Sequence, residues 1–103
     1  MKYFVIESML KNPDMINDDI MKEHISYTQK AMNENLILIS GLKSDMSGSI
    51  FMMKSNSKEN IENYLNNEPL KKYNIQDYKI TEFYPHYFNS SNKWFVNENK
   101  EEQ

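Results

Sequence analysis

The sequence predicts an α+β domain with its elements in the order βαββαβ. Four short runs rich in Ile, Val, Phe, Tyr and Met are bounded by turn residues. Between the first and second, and between the third and fourth, lie longer polar stretches with apolar residues at spacings of three and four. At 103 residues the chain suits one hydrophobic core and is too short for two.

The first strand falls near residues 2 to 8, where Tyr3 and Val5 share one face and Phe4 and Ile6 the other, so both faces of this strand are to be covered. Asn12-Pro13-Asp14 turns the chain into a helix near residues 15 to 34, with Asn17, Asp18 and Asp19 suited to its positive end. Leu36 to Gly41, within a strand near 36 to 42, and Ile50 to Met53, within one near 49 to 54, form a hairpin around Ser47-Gly48-Ser49. Ser57 caps a second helix near 57 to 67, in which Ile61, Tyr64 and Leu65 recur at helical spacing, and Pro69 closes it at Glu68. Tyr78, Ile80 and Phe83 mark a last strand near 75 to 84. The plan is ferredoxin-like: a four-stranded antiparallel sheet with both helices on one face. The other face stays bare and apolar, which favours a homodimer through it, with Trp94 and Phe95 contributing. A single domain over residues 1 to 95 is expected, with 96 to 103 a disordered tail that after Val96 is only Asn, Glu, Lys and Gln.

Composition removes several function classes. Twelve Lys and no Arg stand against fifteen Asp and Glu, for a net charge of -3, so the field that attracts nucleic acid is missing. Without cysteine there are no disulfides and no thiolate nucleophile or ligand. Gly41 and Gly48 are the only glycines, too few for a phosphate loop, and no His or carboxylate pair has the spacing of a metal site. Glu7 and Lys11 break the apolar opening before a signal sequence could form, and no run reaches the length of a membrane span, so a cytoplasmic protein with no membrane partner is expected. Neither a metal nor a cofactor is required.

One residue is out of place. On a wheel at about 100° per residue, Ile16, Ile20, Tyr27 and Ala31 line one edge of the apolar arc of the first helix and Met21, Ile25, Thr28 and Met32 the other. His24 lies between them and points at the sheet. An inward imidazole needs a partner, because an unpaired buried polar group costs about 1–3 kcal/mol. Either it is a core histidine satisfied by a carbonyl or a Tyr hydroxyl, or it works on a ligand.

The run Lys2-Tyr3-Phe4-Val5-Ile6, His24 midway in the first helix, the Leu36 to Gly41 strand and Asn67-Glu68-Pro69-Leu70 together resemble the YCII-related (YciI-like) family over roughly residues 1 to 85. The resemblance implies a ferredoxin-like protomer that pairs into a dimeric α/β barrel enclosing a cavity. It implies a histidine and an acidic residue in one site, at His24 and Glu68. One branch of that family removes chloride from hydroxylated rings. Met21 stands where the family often has Arg, and Glu68-Pro69 where it has Asp-Pro. The expected activity is cofactor-independent proton transfer on a small cyclic or aromatic metabolite by a lyase, isomerase or hydrolase. Here His24 exchanges the proton, Glu68 orients it, and Tyr3, Tyr27 and Phe51 wall the pocket. A non-catalytic dimer that binds a small molecule, or a regulatory dimer with a dry core, is the alternative.

Overall fold

The computed structural model describes residues 1–89 and 93–95. Strands β1 (Lys2–Leu10), β2 (Ile37–Leu42), β3 (Ser49–Ser55) and β4 (Gln76–Phe83) form one sheet in the order β2-β3-β1-β4. All three pairings are antiparallel, so the central strand β1 is flanked by β3 and β4 and the topology is ferredoxin-like. Helices α1 (Asp18–Asn33) and α2 (Lys58–Asn66) cover one face, and a short helix, α3 (Pro69–Lys72), follows them. Phe4, Ile6, Ile37, Phe51 and Met53 from the sheet meet Ala31, Ile61 and Leu65 from the helices in the core.

Local chemistry sets the helix ends. The Asn17 side chain accepts from the Ile20 amide at 2.8 Å and starts α1 at Asp18, later than the sequence predicts, while Pro13–Met15 forms a separate 3₁₀ turn. At the other end Asn35 takes a left-handed conformation (φ 64°), its amide donates to the Met32 carbonyl at 3.0 Å and the Leu36 amide to the Ala31 carbonyl at 2.9 Å. This is a Schellman cap with Asn where Gly is usual. Asn74 (φ 63°) repeats it after α3, with Ile75 donating to Leu70 at 2.8 Å. Each cap delivers the chain directly into a strand.

Three sequence expectations are corrected. The inward stripe of α1 is narrower than the wheel reading: His24, Tyr27, Thr28 and Ala31 turn inward, whereas Ile25 and Met32 are 58% and 37% exposed because they lie beyond Thr28 on one flank, about 60° and 40° further around the helix. Pro69 does not merely end the second helix. It occupies the first position of α3, where its fixed φ and missing N–H suit a helix start. The open sheet face is mixed: Val5, Ile39, Ile50 and Met52 share it with Glu7, Lys79 and Thr81, as the cross-strand register requires.

Trp94 and Phe95 fold back onto the open face of their own sheet. Their rings lie 5.6 and 5.3 Å from that of Tyr3, Lys54 Nζ donates to the Trp94 carbonyl at 2.6 Å, and Trp94 Nε1 donates to the Asn35 carbonyl at 3.1 Å. Burial under this cover pushes the Lys54 amine below its usual range. Trp94, 5% exposed, is thus packed inside its own protomer. The tail at 96 to 103 lies outside the described residues. Among the described residues no helix is long and apolar enough to cross a membrane.

Candidate active site

Helix α1 presents His24 from its inward stripe, and the loop from α2 to α3 presents Glu68 from the other side. Glu68 precedes Pro69, so its extended backbone (φ -66°, ψ 132°) makes it the N-cap of α3, and its Oε2 accepts from the amides of Leu70 at 2.9 Å and Lys71 at 3.4 Å. The carboxylate therefore turns inward to satisfy a helix start. On β4, Gln76 and Tyr78 sit two apart and face the same way, the Tyr78 hydroxyl donating to Glu68 Oε2 at 2.8 Å. Gln76 Nε2 donates to the Tyr78 oxygen at 2.7 Å.

Glu68 is 2% exposed. A buried carboxylate is tolerable only where donors replace its lost water, and those just named supply them. Its second oxygen, Oε1, lies 2.5 Å from His24 Nδ1. A carboxylate has only acceptors, so Nδ1 carries the proton and donates it, which leaves Nε2 as the basic nitrogen of the neutral ring. Among the described residues no fully buried side-chain nitrogen or oxygen lacks a partner, so Nε2, which bonds to none of them, is reached by solvent.

His24 and Glu68 open onto a cavity of about 200 Å³. Phe51, Ile37 and Leu42 supply apolar wall, and Thr28, Ser40 and Ser49 supply hydroxyls. No Lys is among the residues that line it. Tyr64 and Tyr78 also line it, and burial first, then neighbouring charge including that of Glu68, pushes both phenols well above the usual tyrosine range. They remain O–H donors at any physiological pH. Among the described residues no group of three or more His, Asp or Glu is placed to hold a metal ion.

Of the residues singled out from sequence, His24, Glu68 and Phe51 come together around this cavity. Tyr3 does not: it is on the opposite face of the sheet, under Trp94 and Phe95, because residues 3 and 4 of a strand point to opposite sides. Tyr27 does not line the cavity either. Its hydroxyl donates to the Tyr64 carbonyl at 2.7 Å and its ring stands 4.7 Å from that of Tyr64, so it backs the wall from behind. Sequence reasoning missed Gln76, Tyr78, Tyr64 and Thr28. The signal for the first two was present, since Gln76 and Tyr78 fall on the face of β4 that Ile80 turns to the core.

No family model matches the chain, and no curated protein matches it by sequence. Among solved structures, the fold is similar to that of the 5-chloro-2-hydroxyhydroquinone dehydrochlorinase TftG of Burkholderia phenoliruptrix, determined in complex with 2,5-dihydroxybenzoquinone. The match has a TM-score of 0.67 at 17% identity and covers 80% of this chain and 93% of the other.

Proposed function

We propose that this protein is a YCII-related enzyme that carries out general acid–base chemistry on a small ring-shaped metabolite, with His24 as the proton-transferring group and Glu68 as its orienting partner. The observation that carries this reading is the 2.5 Å contact from His24 Nδ1 to a buried carboxylate beside a cavity. A carboxylate on one ring nitrogen fixes the tautomer, leaves Nε2 to take a proton from a substrate C–H or O–H, and stabilises the imidazolium until the proton is returned. A cavity of about 200 Å³ has room for a single ring, given that one of roughly 150 Å³ holds benzene. With no Lys on the wall and a carboxylate already seated there, an uncharged hydroxylated ring fits better than a carboxylated or phosphorylated one. The dehydrochlorinase that shares the fold is named for a chlorinated hydroxyhydroquinone, which agrees with this class. The reaction is a lyase, isomerase or hydrolase step of proton transfer that requires no cofactor.

A thermal-shift screen tests it with three arms: phenols and quinones, lactones, and aromatic acids. A ligand that binds only the native state raises Tm. The reading expects phenols or quinones to give the largest shift and one of them to turn over. Stabilisation by a phenol without turnover, in native protein and His24→Asn alike, would return the protein to the binding-module reading.

The chain is also proposed to form a homodimer through the open sheet face, where Ile39 and Ile50 are 63% and 49% exposed beside Val5 and Met52. Light scattering at micromolar concentration should return twice the protomer mass. The mass of one protomer would exclude the pairing.

A further inference from the structure

The Glu68 carboxylate is gripped asymmetrically. Oε2 accepts from the Leu70 amide at 2.9 Å and from the Tyr78 hydroxyl at 2.8 Å, while Oε1 is left to His24. A tyrosine hydroxyl has a single proton, and where that proton goes depends on what else faces the oxygen. Gln76 Nε2 donates to the Tyr78 oxygen at 2.7 Å and lies 3.4 Å from Glu68 Oε2. The reverse amide orientation would set a carbonyl oxygen against a carboxylate oxygen and compete for the phenolic proton, so the network itself assigns the amide. Gln76 is buried, at 4% exposed.

We propose that Tyr78 is a positioning residue of this site, that its hydroxyl holds the Glu68 carboxylate in the rotation that aims Oε1 at His24 Nδ1, and that Gln76 directs the phenolic proton to that carboxylate. This rests on the acid–base reading of His24. The two short bonds on Oε2, from Leu70 and Tyr78, distinguish it from Oε1. Losing the phenol leaves the backbone amides and the long 3.4 Å contact from Gln76 Nε2 on Oε2, and the amides serve the helix cap in more than one rotation of the carboxylate. The Tyr78 ring also packs edge-on against Phe51 at 6.1 Å, a purely structural contact that Phe at position 78 would keep.

Tyr78→Phe therefore isolates the hydroxyl, and the readout is the His24 Nδ1 proton by NMR, which needs no substrate. In native protein this proton should resonate far downfield and exchange slowly, as expected of a short bond to a carboxylate. In Tyr78→Phe it should move upfield or broaden while the rest of the spectrum stays dispersed. Gln76→Met, which removes the donor at similar size without adding a charge, should do the same. Once a substrate is known, Tyr78→Phe should lower kcat by roughly 10- to 100-fold, the range for outer partners that orient a functional histidine, with KM little changed. An unmoved Nδ1 proton in both variants, with only Tm lowered, overturns the positioning role. Unchanged turnover in His24→Asn overturns the acid–base reading instead and leaves the NMR result standing.

Discussion

His24 and Tyr78 donate to opposite oxygens of the same buried carboxylate, that of Glu68. The histidine is thus held by a group that other donors already fix in place. His24→Asn should lower turnover of the identified substrate by roughly 10²- to 10⁴-fold, the usual contribution of a general acid or base, with the fold intact because the His24 side chain is 29% exposed. Glu68→Gln should reduce turnover less and stability more. Its amide nitrogen must face either the Leu70 amide and Tyr78 hydroxyl or the His24 Nδ1–H, and an unpaired buried donor costs about 1–3 kcal/mol. Steady-state kinetics and urea denaturation on the two variants check both orders, and a less stable His24→Asn would reverse the second.

Gly48 is required by closeness of approach and not by backbone freedom. A Cβ at this position would lie 1.9 Å from the Ser8 carbonyl oxygen, and the neighbouring Ser49 amide is tied to Ser8 Oγ at 2.8 Å. Backbone, not a flexible side chain, would have to yield. Gly48→Ala should destabilise the fold by about 1–3 kcal/mol, in the range of overpacked sites. A loss below about 0.5 kcal/mol in urea denaturation would show that the hairpin relaxes freely.

Asn35 and Asn74 serve the opposite need, a left-handed residue after a helix. A side chain without an amide pays about 1–2 kcal/mol in that region, while Gly pays nothing. Asn35→Ala should therefore lower stability by about 1 kcal/mol, and Asn35→Gly should leave it unchanged or raise it. The Asn35 carbonyl that receives Trp94 Nε1 is backbone and survives either change. Equal Tm values for the Ala and Gly variants would contradict this.

At high pH the buried phenols govern stability. Burial, with the Glu68 charge and hydrogen bond behind it, raises Tyr78 above its unfolded value. The folded chain then keeps a proton that the unfolded chain loses. The contribution is fully present below pH ~10 and is lost as pH rises further, by about 1.4 kcal/mol per unit for each such group. Tyr64 is raised in the same direction, chiefly by burial. Stability measured by urea at a series of alkaline pH values should fall, with tyrosinate absorbance appearing together with unfolding. Tyr78→Phe should make the decline shallower. An equal slope in this variant would assign the alkaline limb to other groups.

Much of the architecture was legible because it is written in local chemistry. Strand periodicity placed Phe4 and Ile6 on one face and Tyr3 and Val5 on the other, and the side chains of Asn17 and Ser57 begin helices where they stand. His24 was legible as inward-facing for the same reason, since helical spacing alone sets the stripe. The same spacing overreached at Ile25 and Met32, because a periodic pattern does not say how wide a strip the sheet will cover. Pro69 was read for what it forbids, while Glu68 before it makes the same residue a start.

By itself, then, the sequence determined the order of the four strands and two longer helices, the Ser57 cap and the inward direction of His24, all of which depend on residues within a turn or two of one another. Only the tertiary structure decided what His24 meets. Glu68 is 44 residues away from it in the chain and Tyr78 ten beyond Glu68, and they converge because β4 pairs with β1 in a register that brings Tyr78 opposite Ser8, beneath the helices. Tyr3 is excluded by strand alternation, which is local, and the tertiary structure adds only its cover by Trp94 and Phe95. Strand order and register arise from the summed burial of elements distant in sequence, a quantity that no local pattern carries.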